Sequence, residues 1–202
     1  MGSGDKNRYP AALLAGGLST RMGFPKLLLA QDGRLCAERM VADLFATGWE
    51  QVAVVVSDWS LIAFVEQNLA PAEIIVNAEP ARGMISSLRL ALDWAEEDAA
   101  GLLALPIDHP LVAGETLAAL RREADADWII VPQFQGRRGH PTWWGRASWE
   151  ALRSSEADEG ANKVLRLSSI QVRELPVDDF GVTTNINTLA DAERYQLHIY
   201  SE

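Results

Sequence analysis

The chain has 202 residues, 48% of them hydrophobic, a formal net charge of −10 and one cysteine, Cys36. Such a length and composition suit one domain with a sizeable core; no apolar run reaches the roughly 18 residues that a bilayer demands, and a lone thiol excludes an internal disulfide and fits a cytoplasmic setting. An acidic balance argues against nucleic acid and membrane surfaces as partners, yet allows one nucleotide gripped by a few local cations.

About eight polar residues open the chain as a tail. Ala11 to Ala15 is an apolar run that reads as a buried strand. It breaks at Gly16-Gly17, passes Ser19 and Thr20, and presents Arg21 and Lys26, with Pro25 stiffening the approach to the lysine. Glycines let backbone N–H groups approach phosphate oxygens, a guanidinium can fork two of them, and an ammonium supplies a point charge. The loop fits neither G-x-x-x-x-G-K-[ST] nor G-x-G-x-x-G.

Beyond it, Leu35 to Thr47 has helical periodicity and Gln51 to Val56 is a continuous β-branched strand. Ser60 to Leu69 reads as a helix capped by Ser60, Ile74 to Val76 as a strand, and Met84 to Glu97 as a helix entered through Gly83. Leu102 to Leu105 is a strand running into Asp108, and Glu115 to Ala124 a helix. Trp128 to Val131 is a strand, Gln135 to Gly139 a polar turn, and Pro141 to Trp144 a segment able to pair back as a hairpin. Helices follow at Ala147 to Arg153 and Ala161 to Leu167, a strand at Ile170 to Leu175, and a last helix from Leu189 with Thr188 as its cap. Strands alternating with helices predict a three-layer α/β/α sandwich around a mostly parallel, Rossmann-like sheet, with ligands at the carboxyl ends of strands. Residues 133–160 are expected to form a flap over that end.

Several side chains fall at strand ends. Asp108 is costly to bury unless it binds a metal, pairs with a cation or caps the next loop. Asn77 ends a strand, and Gly83, Ser86 and Ser87 enter a helix, which serves a nucleotide or simply starts the helix. Arg82 and Arg89, and separately Asp178-Asp179, read as solvated charges. Thr184 to Thr188, TNINT, is a helix cap on its own terms. His140 either contacts a ligand or hydrogen-bonds a turn. The tryptophans at 143, 144 and 149 are core residues, with room for one as a binding platform.

The pattern G-x-x-x-R-x-x-x-P-K from Gly17 to Lys26 resembles the signature of nucleotidyltransferases with a glycosyltransferase-A-like fold, closest to the molybdenum cofactor guanylyl- and cytidylyltransferases. The likeness runs from about Tyr9 to Tyr195 through LPIDHP, NINT, RGHP and ADEGAN, the last with Ala157 for a glycine and Asn162 for an arginine. It implies Arg21 and Lys26 as catalytic residues. Leu14, Ala15, Gly16, Gly17, Asn77, Gly83, Ser87 and Asp108 would bind nucleotide with them. Asp108 and Asn185 would hold Mg²⁺, and His140 would meet the acceptor. The expected reaction moves a nucleoside monophosphate from an NTP (CTP first, GTP second) to a phosphorylated acceptor such as molybdopterin. The alternatives are a sugar- or alcohol-phosphate nucleotidyltransferase and a nucleotide-binding regulatory module.

Overall fold

The computed structural model describes residues 8–17, 21–95, 98–154, 157–167 and 169–200. In chain order they form β1 (Pro10–Ala15), β2 (Leu29–Gln31), β3 (Arg34–Leu35), α1 (Cys36–Ala46), β4 (Gln51–Val56), α2 (Ile62–Asn68), β5 (Glu73–Val76) and α3 (Met84–Trp94). There follow β6 (Gly101–Pro106), α4 (Gly114–Glu123), β7 (Trp128–Phe134), β8 (Arg137–Arg138), β9 (Thr142–Gly145), α5 (Trp149–Arg153), β10 (Gln171–Pro176), α6 (Leu189–Arg194) and β11 (His198–Ile199).

The main sheet runs β10-β7-β9-β6-β1-β4-β5, with β8 hairpinned onto β7. β1 pairs in parallel with β4 and β6, β4 with β5, and β10 with β7; β9 alone runs antiparallel between β6 and β7. Strands buried on both faces read as continuous apolar runs, and β1 and β6 are buried at every residue. Their pleat divides the core in two. Leu13, Leu103 and Trp143 face Met40, Val41 and Leu44 of α1 and Leu117 and Leu120 of α4. Leu14, Ala104 and Trp144 face Ile85 and Leu88 of α3 and Trp149 and Leu152 of α5. The result is the expected mostly parallel sheet with helices on both sides.

Three expectations are corrected. First, Thr142–Gly145, expected within a flap, is the fully buried strand β9 inside the sheet, pairing back antiparallel onto β7 as its sequence suggested. Its reversed direction brings His140, just ahead of it, to the same edge as the carboxyl end of β6, where Ala104 pairs with Thr142. Second, Ser60 does not cap α2, which begins at Ile62 after Leu61 with no side-chain cap; Asp58 caps the 3₁₀ turn Trp59–Leu61 ahead of it, accepting from Ser60 N at 2.8 Å. Third, Asp179 is buried rather than solvated. It accepts from Ala113 N at 2.9 Å, Thr116 Oγ at 2.7 Å and Gly181 N at 2.8 Å, tying the chain after β10 to the start of α4.

A small sheet, β11-β2-β3, was not legible in the sequence. Its strands span two or three residues each, too short to show a period. It stands over a third apolar cluster, with Met22, Leu29, Ile186 and Leu197, that anchors the C-terminal segment against the loop after β1.

Candidate active site

Parallel strands deliver their carboxyl ends to one edge, and the candidate residues gather there. Gly16 and Gly17 leave β1, Asp108 follows β6, and α3 begins at Met84 beneath both. Together with Arg21, Lys26, Ser87 and Asn187 they line a cleft of about 380 Å³. Gly16 is required by close approach: a Cβ there would meet Ser87 Oγ at 2.5 Å. The glycine loop therefore lies directly on the first turn of α3, whose N-terminus favours anions. Gly83 meets a different need. Its φ of 81° turns the chain into α3 in a region that side chains other than glycine rarely adopt, and its backbone lines the cleft.

Lys26 is the centre of the polar cluster. It follows Pro25 on a short 3₁₀ turn. Its Nζ donates to Asn187 Oδ1 at 2.7 Å and pairs with Asp108 Oδ2 at 3.5 Å. Asp108 is fixed from behind, because its backbone carbonyl accepts from Ile186 N at 2.7 Å. That bond brings the C-terminal segment across the sheet and sets Asn187 at the cleft. Asn185 is exposed and does not line the cleft, so the amide that faces the cluster is Asn187, two residues later. Asn187 is held by its own bond to Asp191 Oδ2, 3.0 Å, within the capping box of α6. Asp191 is kept below the usual carboxylate range by the N–H of Asn187 first, then by Thr188.

Of the other predicted residues, Leu14 lines the cleft, whereas Ala15 lies beside Lys26 in a separate hollow with Phe24 and Leu61. Arg21 lines the cleft and is exposed. Ser19 and Thr20 lie outside the described residues. Asn77, expected at the nucleotide, does not line this cleft and braces the entry to α3. It is 1% exposed, donates to Ser86 Oγ and Ser87 Oγ at 2.9 Å each, and accepts from Glu79 N at 2.9 Å. It shapes the entry to α3 and leaves Ser87 to face the cleft.

A second pocket of about 230 Å³ adjoins the first and shares Leu14, Gly83, Met84 and Pro106 with it. Its floor is apolar, with Ile85, Leu88, Ala104 and Trp144; His140, Asp158, Glu159 and Asn162 stand at its lip. Trp144 thus lines this pocket, while Trp143 and Trp149 are fully buried. Burial, then His109, lowers the His140 pKa to about 4. The His140 Nδ1 is buried without a hydrogen-bond partner among the described residues. The ring of His109 lies beside it, its Nδ1–H donating to Gly181 O at 3.3 Å, and burial lowers its pKa too.

Arg89 was expected in solvent but is a clamp. Its guanidinium donates to Leu152 O at 2.8 Å, Ser154 O at 2.6 Å and Asp158 Oδ1 at 2.8 Å. It pins the wall of the second pocket to α3. Sequence alone gives Arg89 no signal, since its partners lie more than sixty residues away and two of them are backbone carbonyls.

Two hard oxygens, one carboxylate and one amide, converge on a single ammonium at the end of β6. Mg²⁺ takes such oxygens together with nucleotide phosphates, so Asp108 and Asn187 fit a divalent cation. No group of three or more His, Cys, Asp or Glu side chains among the described residues forms a closed metal cage. No described helix is long and apolar enough to cross a membrane.

A parallel α/β sheet with a glycine loop, a lysine and an aspartate at its ligand edge defines a nucleotide-handling enzyme. A model of the "MobA-like NTP transferase domain" matches residues 11–175, and the chain belongs to that family of nucleotidyltransferases. A "Molybdenum cofactor guanylyltransferase" of Sinorhizobium fredii is 34% identical, over 95% of this chain and 93% of the relative. A "Nicotine blue oxidoreductase" of Paenarthrobacter nicotinovorans is 27% identical, over 96% of this chain and 99% of its own. The crystal structure of Rv0371c from Mycobacterium tuberculosis H37Rv superposes with a TM-score of 0.78 at 27% identity, covering 94% of this chain and 97% of that one. Another crystal structure of Rv0371c is a complex with manganese (TM-score 0.71, 25% identity, 93% and 97% covered).

Proposed function

We propose that the chain transfers a nucleoside monophosphate from an NTP to a phosphorylated acceptor, with Mg²⁺, releasing pyrophosphate. One observation carries this reading: the polar cleft and the apolar pocket meet at Leu14, Gly83, Met84 and Pro106, beside Asp108. A transferase needs its two substrates end to end. Here the triphosphate would lie on Gly16, Gly17, Arg21 and Lys26, and the acceptor body in the apolar pocket.

An acceptor phosphate oxygen attacks the α-phosphorus in line, and the bond to the bridging oxygen breaks as pyrophosphate leaves. The acceptor phosphate has a second pKa of about 6 and attacks without a general base. The rate comes from positioning and from cations facing the developing charge. Arg21 binds the triphosphate, Lys26 neutralises charge near the α-phosphate, and Asp108 with Asn187 would hold the metal. A metal bound there draws charge from the phosphate oxygens.

The apolar floor supports a flat heterocyclic acceptor of the molybdopterin kind over a sugar or polyol phosphate, which needs polar partners for each hydroxyl. For the donor, the sequence motifs favour CTP, and the guanylyltransferase relative supports GTP as the other candidate. The activity in the oxidoreductase relative's name would call for a hydride donor; Lys26 and Asp108 at the cleft favour phosphoryl chemistry instead.

The test is pyrophosphate release with each of the four NTPs, Mg²⁺ or Mn²⁺, and a panel of heterocyclic and polyol phosphates. Release with CTP or GTP and a heterocyclic phosphate alone is the expected result. NTP binding without release across the panel would sink the transferase reading in favour of a regulatory module.

A further inference from the structure

Lys26 lies where a divalent cation would have to sit. Its Nζ is 2.7 Å from Asn187 Oδ1 and 3.5 Å from Asp108 Oδ2, the two oxygens assigned above to the metal. The side chain is only 12% exposed, so the ammonium is enclosed with these oxygens rather than left waving in solvent. A monovalent and a divalent cation on the same pair of oxygens would repel at bonding distance. One must leave for the other to bind. The same lysine also lines the cleft that holds Gly16, Gly17 and Arg21, so it has a second place to go: the phosphates of a bound nucleotide.

We infer that the Lys26 ammonium is an internal stand-in for the metal, parked by Asn187 and Asp108 until a triphosphate draws it away. The inference rests on the proposed metal-dependent reading and adds an order of events to it. In the free protein the lysine satisfies a partly buried carboxylate that would otherwise be unpaired. Its presence weakens binding of metal alone. A triphosphate offers Lys26 several anionic oxygens in exchange for one carboxylate and one amide, and its departure frees both oxygens. Metal and nucleotide then bind with positive coupling, and each must tighten the other by the same factor. Asn187 thereby acts twice, first as the acceptor that positions Lys26 and then as a ligand.

The test is Mn²⁺ binding, read as loss of the free Mn²⁺ electron paramagnetic resonance signal without a non-hydrolysable NTP analogue and, with the analogue, as loss beyond that in a protein-free Mn²⁺–analogue control. The proteins are wild type, Lys26→Met, Lys26→Gln and Asp108→Asn, each checked by circular dichroism; the glutamine variant stands in if the methionine variant fails to fold. Wild type is expected to bind Mn²⁺ weakly alone and more tightly with the analogue. Removing the lysine charge should tighten binding of Mn²⁺ alone by about tenfold and shrink the coupling to nucleotide. Asp108→Asn should lose Mn²⁺ binding in both conditions. If the Lys26 variants bind Mn²⁺ alone no better than wild type while Asp108→Asn still abolishes binding, the stand-in is overturned and the metal site survives. If Asp108→Asn binds Mn²⁺ normally with the analogue, the metal assignment falls, and the exchange with it.

Discussion

The imidazoles of His109 and His140 lie 4.9 Å apart, tilted by 58°, and both are held uncharged by burial behind the cleft. Two adjoining rings that each resist protonation make this corner of the protein sensitive to acid. His140 is the stronger case, since its pKa falls from 6.5 to about 4. Above 6.5 neither the folded nor the unfolded chain carries its proton, and His140 contributes no pH dependence. Between 6.5 and about 4 the unfolded chain binds the proton and the folded one does not, so stability falls as pH falls, by up to about 1.4 kcal/mol per unit. Thermal melts of wild type and His140→Gln between pH 7 and 5 should diverge, with the glutamine variant losing less. Parallel curves would show that His140 does not carry the effect.

Asp108 and Lys26 face each other across 3.5 Å, so their substitutions should not add. Asp108→Asn is expected to cut metal-dependent turnover by about a thousandfold with the fold intact. Combined with Lys26→Gln, it should cost clearly less than the product of the two single losses. Full additivity in steady-state kinetics would mean that the two side chains act separately.

Gly16→Ala would drive a methyl group to within 2.5 Å of Ser87 Oγ. Overpacking of this kind costs about 1–3 kcal/mol, and here it also displaces the glycine loop from α3. Nucleotide binding by calorimetry should weaken, and adding Ser87→Ala should restore part of it by removing the clashing oxygen. A double variant no better than Gly16→Ala would point to φ/ψ or loop effects instead of this contact.

Arg89→Met should loosen the wall of the apolar pocket, because three bonds to residues 152–158 are lost together. The acceptor KM is expected to rise about tenfold while the NTP KM and kcat change little. An equal rise in both KM values, or a large drop in melting temperature with no KM split, would make the residue merely structural.

The layered fold and the strand-end residues were legible because long apolar runs and glycine punctuation are local signals. β1, β4 and β6 carry nearly their whole sequence signature within six residues each. What escaped was set by partners far along the chain. TWWG pairs back antiparallel on β7 as its sequence suggests, but its burial as an inner strand between β7 and β6 depends on partners that the segment itself does not show. Asp179 looked like half of a solvated pair until Thr116 and the start of α4 closed on it from sixty residues away. The sequence reading names Asn185, whereas Asn187 is the amide that lines the cleft, and no spacing rule distinguishes two amides in one short segment. Asn77 stands at the expected strand end, but its bonds to the two serines of α3 could not be read from spacing.

The bond from Ile186 N to the Asp108 carbonyl has a consequence for how the protein is made. β1, β4, β5 and β6 can pair once residue 106 has left the ribosome, so the floor of the glycine-lined cleft assembles early. β7, by contrast, has no seat in the sheet until β9 fills the gap between it and β6. Asn187 comes after all of these, on the segment that β11 fastens to β2. A nascent chain stalled before residue 180 would therefore present the glycine loop and Asp108 with one wall of the cleft missing.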